Sequence, residues 1–294
     1  MSFGIDHPLI AVNDLAKARS RAQALGFCVA PHYSHPWGTE NELLLFDTTF
    51  IELIAITRPD LTGYVDANGF RFARAIEARL THGEGVAMVA LDSQDMAEDH
   101  AMVEARGFAP WAPIEFERKA SSSGQQVDVR VALDILHDPA QPFLTQFLCQ
   151  QLNPDLLRPH GRGSTHANQV SRLAKLWYVS DNLERDIAHF RAIHGADRIV
   201  QIAGGYRITT DKGDFWLLTP AALSDHLGTT SHVAPAPPRV VAIGLETLDL
   251  KAAMACWDTQ DVPYERVGEY AAEVPASFLG GTLLRFEQCE DCLL

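Results

Sequence analysis

One local order of elements occurs four times along the chain: a strand, a helix, then extended segments that close in an apolar run. In the first copy Gly4–Val12 reads as a strand. Asn13 or Asp14 can cap a helix carrying Leu15, Ala18, Ala22 and Leu25 on one face, and Gly26 supplies its stop. Extended segments follow near Cys28–His35, Asn41–Phe46 and Phe50–Ile56, separated by Pro, Gly, Asp and Thr. The order returns at Val86–Leu91, with Asp92/Ser93 before a helix bearing Met96, His100 and Val103 that stops at Gly107. It returns at Leu173–Val179, with Ser180/Asp181 before a helix bearing Leu183, Ile187 and Phe190 that stops at Gly195. It returns last at Val240–Thr247, with Asp249 before a helix bearing Leu250, Met254 and Trp257 that ends near Pro263. Apolar runs Phe143–Leu148, Asp214–Leu218 and Thr282–Phe286 close the later copies.

A single βαβββ unit cannot bury both its helix and its sheet face, whereas two paired units share a core and enclose a cleft. The expected fold is therefore α+β, with four βαβββ units paired into two domains of curved mixed sheets: residues 1–155 (units 1 and 2) and 166–294 (units 3 and 4). The boundary is expected within Asn153–Asn168, rich in Pro, Gly, Arg and His. A bridge over Thr57–Gly85 joins the first two units, with a helix bearing Phe70, Ala73, Ile76 and Leu80. A Pro-rich linker, His232–Pro238, separates the last two.

Composition narrows the class of function. Lys and Arg number 24 against 38 Asp and Glu, a net charge of −14 that repels duplex nucleic acid and anionic membranes. No run approaches the roughly 18 apolar residues of a membrane span, and the N-terminus lacks the basic and apolar regions of a secretory signal. Five unevenly placed cysteines fit reduced thiols better than a disulfide framework. The expectation is a cytoplasmic protein whose partner is a small molecule, with no nucleic acid and no membrane, and with a homodimer possible.

The repeats, together with Asp6-His7-Pro8 on the first strand and Phe50-Ile51-Glu52-Leu53-Ile54 on the fourth, resemble the vicinal oxygen chelate superfamily. That group includes glyoxalase I, extradiol dioxygenases, fosfomycin-resistance proteins and bleomycin-binding proteins. His35-Pro36-Trp37-Gly38-Thr39-Glu40-Asn41, the Ile-Glu-Leu-Ile strand and Pro142-Phe143-Leu144-Thr145-Gln146 are similar to its glyoxalase-like domain proteins, over residues 4–150. The resemblance implies two superfamily-type domains and a pocket between strands, and leaves the substrate open.

Within that pocket Glu52 is the sharpest candidate. A carboxylate among flanking apolar residues loses hydration worth several kcal/mol unless a cation or donors replace it; the plainer alternative is a Glu on the solvent face or one paired with Arg. His7 can ligate a metal or shuttle a proton, or serve as a structural histidine. Glu52 and His7 are the expected catalytic pair. His35, Trp37, Thr39 and Asn41 are expected to bind substrate, Trp37 as an apolar wall, although Gly38, Thr39 and Asn41 can equally serve the turn. A divalent Zn, Ni, Mn or Fe ion would take His7, Glu52 and Gln146 as ligands. Matching unit 2 onto unit 1 sets Gln146 opposite Glu52 but Val86, which offers no ligand, opposite His7, so absence of a metal is an equal expectation.

Other signals are weaker. Cys289-x-x-Cys292 has no second pair, His160 and His166 lie in the linker, and Asp134 and His137 lack a nucleophile nearby. No phosphate loop, dinucleotide fingerprint or nucleophile elbow is present. Units 3 and 4 carry Ala174, Trp216, Ala242 and Arg285 at the matching positions, without a ligand set, and read as a structural or dimerising partner. Three functions follow: a lyase or isomerase abstracting a proton next to a carbonyl, a non-catalytic binder of the bleomycin-resistance type, and a dioxygenase of the extradiol type.

Overall fold

The computed structural model describes residues 3–30, 33–63, 69–122, 125–153, 165–227 and 237–289. Strands β1 (Ile5–Ala11), β2 (Tyr33–Ser34), β3 (Thr39–Leu45), β4 (Phe50–Ile56), β5 (Gly85–Asp92), β6 (Ile114–Ser122), β7 (Gln125–Leu136) and β8 (Gln146–Gln151) make one sheet. Its order is β2-β3-β4-β1-β5-β8-β7-β6. A second sheet repeats the plan with β9 (Val170–Val179), β10 (Ile199–Ile202), β11 (Gly205–Thr209), β12 (Asp214–Leu218), β13 (Arg239–Thr247), β14 (Glu265–Val267), β15 (Ala271–Val274) and β16 (Leu283–Gln288), in the order β10-β11-β12-β9-β13-β16-β15-β14. In each sheet the two units meet along an antiparallel seam, β1 with β5 and β9 with β13, while β4 and β12 run parallel to their unit's first strand. The four expected units are all present.

Four helices follow the first strand of each unit: α1 (Leu15–Ala24), α3 (Met96–Ala105), α4 (Leu183–His194) and α6 (Leu250–Thr259). Between α1 and α3 lies α2 (Phe72–Thr81), and between α4 and α6 lies α5 (Pro220–Leu227), which the sequence reading did not anticipate. Each unit's helix starts on an Asx cap: Asp14, Asp95, Asn182 and Asp249 accept backbone N–H groups of the first turn, each worth about 1 kcal/mol. In unit 2 the cap falls two or three residues later than expected, and in unit 3 one or two. Ser93 and Ser180 instead donate to Asp99 and Asp186 at 2.7 and 2.6 Å, tying strand end to helix.

The unit helices cover one face of both sheets, and the apolar layer beneath them is continuous through the two halves, with Ile10, Leu53, Val89, Leu148, Leu176, Ile243, Trp257 and Phe286 among its members. The Trp257 indole N–H and the Asn168 amide both donate to the Leu25 carbonyl at the end of α1, linking the halves at 3.1 and 2.8 Å. On the opposite faces α2 and α5 play matching parts. Phe72, Ala73 and Ile76 of α2 cap an apolar cluster on the first sheet, and Ala222, Leu223 and Leu227 of α5 cap one on the second. Each sheet therefore keeps one face for a cleft. Among the described residues no helix is long and apolar enough to cross a membrane.

Candidate functional site

The cleft of the first sheet is lined on one wall by strand residues whose period-two alternation points them away from the shared core. These are His7 and Leu9 of β1, Asn41 and Leu43 of β3, and Glu52 and Ile54 of β4. Register makes the wall: Glu52 lies beside Leu9 on one side and Leu43 on the other, and Asn41 beside Ile54. The facing wall is apolar, built from Val131, Leu133 and Phe147, with Cys149 and Gln151 at its end and Trp37 and Phe72 closing the side. The empty space is about 510 Å³ and opens to solvent.

A β-bulge sets up the polar centre. Between Ile5 and His7 the pairing of β1 with β5 slips, so that Ile5 faces Leu91 and His7 faces Ala90. Bulges re-aim side chains that would otherwise alternate. Here the bulge lets adjacent residues interact: the His7 Nδ1–H donates to Asp6 Oδ2 at 2.8 Å. The other ring nitrogen, Nε2, faces Glu52 Oε2 at 3.2 Å, and Phe50 stacks on the imidazole at 3.9 Å. The Asn41 amide donates to Glu52 Oε1 at 2.6 Å. Burial alone would lower the His7 pKa, but hydrogen bonds to Asp6 and Glu52 and the charges of both raise it above its ordinary value. Burial alone would raise the Glu52 pKa, but the hydrogen bond and charge of His7, the charge of His35 and the Asn41 amide hold it at about 2. A carboxylate thus faces an imidazole whose protonated form its two carboxylate neighbours favour, both residues more than nine-tenths buried.

His35 reaches the site from a tight turn. Gly38 sits at φ +85°, and a Cβ there would lie 2.4 Å from the Arg58 carbonyl, so only glycine turns the chain back toward Thr39. The His35 ring is held by Thr39 Oγ1 at 2.9 Å and stacks on Trp37 at 5.0 Å, which stacks in turn on Phe72 at 5.1 Å. Its Nε2 lies 4.0 Å from Glu52 Oε1.

Of the residues expected from sequence, His7, Glu52, His35, Trp37 and Asn41 converge on this pocket, and Thr39 stands behind His35. Gln146 does not join them. Its side chain points through the sheet to the other face, where the His194 Nε2–H donates to Gln146 Oε1 at 3.1 Å. A short 3₁₀ turn, Pro142–Leu144, interrupts the apolar run before β8, so that Phe147, not Gln146, faces the cleft with Glu52; a one-residue slip changes faces. Val86 likewise packs in the shared core. The donor set consequently does not suit the expected divalent ion. His7 and Glu52 direct their facing atoms at each other, the opposite wall is apolar, and no three His, Cys, Asp or Glu side chains among the described residues are placed to hold a metal.

Sequence reasoning did not single out Asp6 as a site residue, nor Phe50, Phe72, Phe147, Cys149 and Gln151. Asp6 was visible in the Asp-His dipeptide, but strand alternation places neighbours on opposite faces unless a bulge intervenes. His166 is buried at the joint between the halves, where the Cys28 N–H donates to it at 2.9 Å and it bonds the Leu45 carbonyl at 3.0 Å. His160 and Cys292 lie outside the described residues. Asp134 is fully buried and bonded to His100 at 2.7 Å, and His137 to Thr145 at 2.8 Å, both outside the pocket lining.

The cleft of the second sheet is larger, about 1560 Å³ of empty space, and lined by charge. Register sets Trp216 beside Trp177 where Glu52 lies beside Leu9, which puts Lys175, not Ala174, at the position of His7. Its carboxylates are neutralised locally. Arg172 grips Glu246 with two bonds of 3.0 and 2.6 Å, Lys175 meets Glu287 at 2.5 Å, and Arg285 holds Glu273 and Glu287 at 2.8 Å each.

Residues 5–193 match a family described as the glyoxalase-like domain. No curated protein matches the sequence. A hypothetical protein from Staphylococcus aureus shares the fold with a TM-score of 0.70 at 14% identity, over 98% of this chain and 100% of that one. A mutant of 4-hydroxymandelate synthase from Streptomyces coelicolor gives 0.57 at 13% identity, over 98% and 92%. A fusion of a xylose isomerase-like TIM barrel with 4-hydroxyphenylpyruvate dioxygenase gives 0.58 at 13%, over 98% and 49%.

Proposed function

The chain belongs to the glyoxalase-like domain family of the vicinal oxygen chelate superfamily, and from that premise we propose that it is an isomerase or lyase that moves a proton next to the carbonyl of a small oxygenated substrate. The observation that carries the reading is the buried Asp6–His7–Glu52–Asn41 chain of hydrogen bonds on one wall of an otherwise apolar pocket.

The chemistry follows from what substrate does to that chain. A carboxylate held at about 2 is a weak base, and efficient bases titrate nearer the working pH. A substrate carbonyl that takes the His7 Nε2–H for itself removes the strongest donor from Glu52. Burial then pushes the carboxylate toward higher basicity. Glu52 accepts the proton from the carbon, and the oxygen that gains charge is met by the His7 imidazolium, which Asp6 steadies through Nδ1. In a substrate with a hydroxyl on the deprotonated carbon, return of the proton to the former carbonyl carbon, with the hydroxyl proton passing to the former carbonyl oxygen, gives the isomer. Expulsion of a leaving group from the carbon beyond the deprotonated one gives the lyase outcome. Asn41 and His35 orient the substrate, and no step requires a metal. His7 must be protonated, so activity is expected to fall as pH rises through its raised pKa.

The reaction class is tested by solvent-deuterium incorporation, followed by proton NMR, into a panel of small hydroxy ketones and oxoaldehydes. Enzyme-dependent wash-in next to the carbonyl is expected, lost in Glu52→Gln and His7→Ala variants that keep the wild-type circular dichroism. Equal wash-in with and without those side chains contradicts the reading. The aromatic lining of Trp37, Phe72 and Phe147 favours as a second reading a binder that sequesters a ring compound; saturable binding with the compound recovered unchanged and undeuterated points to it.

A further inference from the structure

The hydrogen-bond valences left open in the pocket specify its ligand further, an inference that rests on reading this pocket as the working site. Because Glu52 accepts only, the Asn41 amide must direct its NH2 toward Oε1 at 2.6 Å. Its NH2 also lies 3.5 Å from His35 Nε2. The Asn41 Oδ1, in a residue only 2% exposed, meets no donor. At the end of the facing wall Gln151 repeats the pattern: its NH2 lies 3.4 Å from Cys149 Sγ, and its buried Oε1 meets no donor. Buried acceptors without donors are costly, and here both belong to residues lining one cavity.

Charge points the same way. No Lys or Arg is among the described residues lining the pocket, whose wall carries the Glu52 carboxylate with the Asp6 carboxyl behind His7. An entering anion would face a carboxylate in a low-dielectric space where the one cationic group, protonated His7, is already shared between Asp6 and Glu52. We propose that the pocket takes an uncharged, ring-bearing compound that donates hydrogen bonds through hydroxyl or N–H groups, and that it rejects carboxylate- and phosphate-bearing metabolites. The ring occupies the Trp37–Phe72–Phe147 side, and the donor meets Asn41 Oδ1.

Calorimetric titration of the full chain with three matched probes tests this: 2-hydroxyacetophenone, acetophenone without the hydroxyl, and benzoylformate with a carboxylate. The hydroxy ketone is expected to bind about tenfold more tightly than acetophenone, the worth of one well-placed hydrogen bond, and benzoylformate at least a hundredfold more weakly. Asn41→Leu should erase the preference for the hydroxyl, and Glu287→Gln, in the other cleft, should leave the binding of all three probes unchanged. Benzoylformate binding as tightly as the hydroxy ketone, or no saturable binding of the hydroxy ketone, overturns the proposal. Because binding is read without turnover, the expected ranking with no deuterium wash-in would sustain this inference while removing the proton-transfer reading.

Discussion

The two clefts of this molecule share a scaffold and differ in how they treat charge. In the first, one carboxylate is buried opposite one imidazole and an amide, within walls of aliphatic and aromatic side chains. In the second, Arg and Lys are matched to Asp and Glu within bonding distance, across a space about three times as large. Where Glu52 stands on β4, Trp216 stands on β12. A carboxylate can exchange a proton with a ligand only if its neighbours are able to let it go, and a guanidinium, which cannot lose its proton in proteins, never does. On the proposed reading the first cleft reacts and the second holds the fold together.

That contrast is most exposed to substitution at matched positions. Glu52→Gln is expected to reduce proton exchange by about 100- to 10,000-fold, the usual worth of a positioned base, whereas Glu287→Gln should leave the rate within about twofold; a comparable loss from Glu287→Gln would erase the distinction. The second cleft answers in stability. Glu273 is 3% exposed, and burial pushes its carboxyl above the ordinary value despite Arg285. Arg285→Met would leave it unpaired, at a cost of about 3 kcal/mol, read as a lower midpoint in denaturant with exchange activity of the folded fraction unchanged.

Acidity should separate the regions in a third way. Burial holds His189 at about 4 and His194 at about 3, so both are neutral when folded. Unfolded, each takes a proton near pH 6.5. Their contribution is therefore full above pH 6.5 and lost as pH falls from there toward the native values, by a few kcal/mol at most. His7 has the opposite sign: with its pKa raised, its contribution is full below 6.5 and fades as pH rises through the folded value. Thermal melts should show lower stability at pH 5 than at 7.5, with His189→Leu reducing the difference; an unchanged acid limb in that variant would remove His189 from the explanation. The smallest effect is expected from chelation. Dialysis against EDTA should leave exchange rate and melting temperature unaltered, and loss restored by Zn, Ni, Mn or Fe would reinstate the metal reading.

Much of the fold was legible in sequence because its signals are local. Asx caps and apolar periodicity recur in each unit, and glycine stops in the first three, and they need no knowledge of partners. The polar wall was legible for a similar reason: Asn41 and Glu52 sit on strands paired without a register shift, and His7 stands in the Asp-His-Pro run of the first strand. What escaped detection depends on irregularities that alternation cannot reveal. The bulge at Asp6 turns a neighbour into a partner, and the 3₁₀ turn before β8 moves Gln146 to the other face. Ala174 was set against His7 when register selects Lys175, a slip of one residue in a strand whose pairing itself shifts. Phe72 and Phe147 read as ordinary core because an apolar pocket wall and a core have the same composition.

Tryptophan supplies a reporter for each cleft: Trp37 lines the first, and Trp177 and Trp216 lie behind the lining of the second, beneath Lys175 and Arg207. The most direct test is a titration of fluorotryptophan-labelled protein with 2-hydroxyacetophenone, followed by fluorine NMR and assigned through single Trp→Phe variants. Saturable movement of the Trp37 resonance, with Trp177 and Trp216 unmoved, is the expected result. Movement of Trp177 or Trp216 with Trp37 unchanged would place the working site in the other cleft and contradict the assignment made from His7 and Glu52.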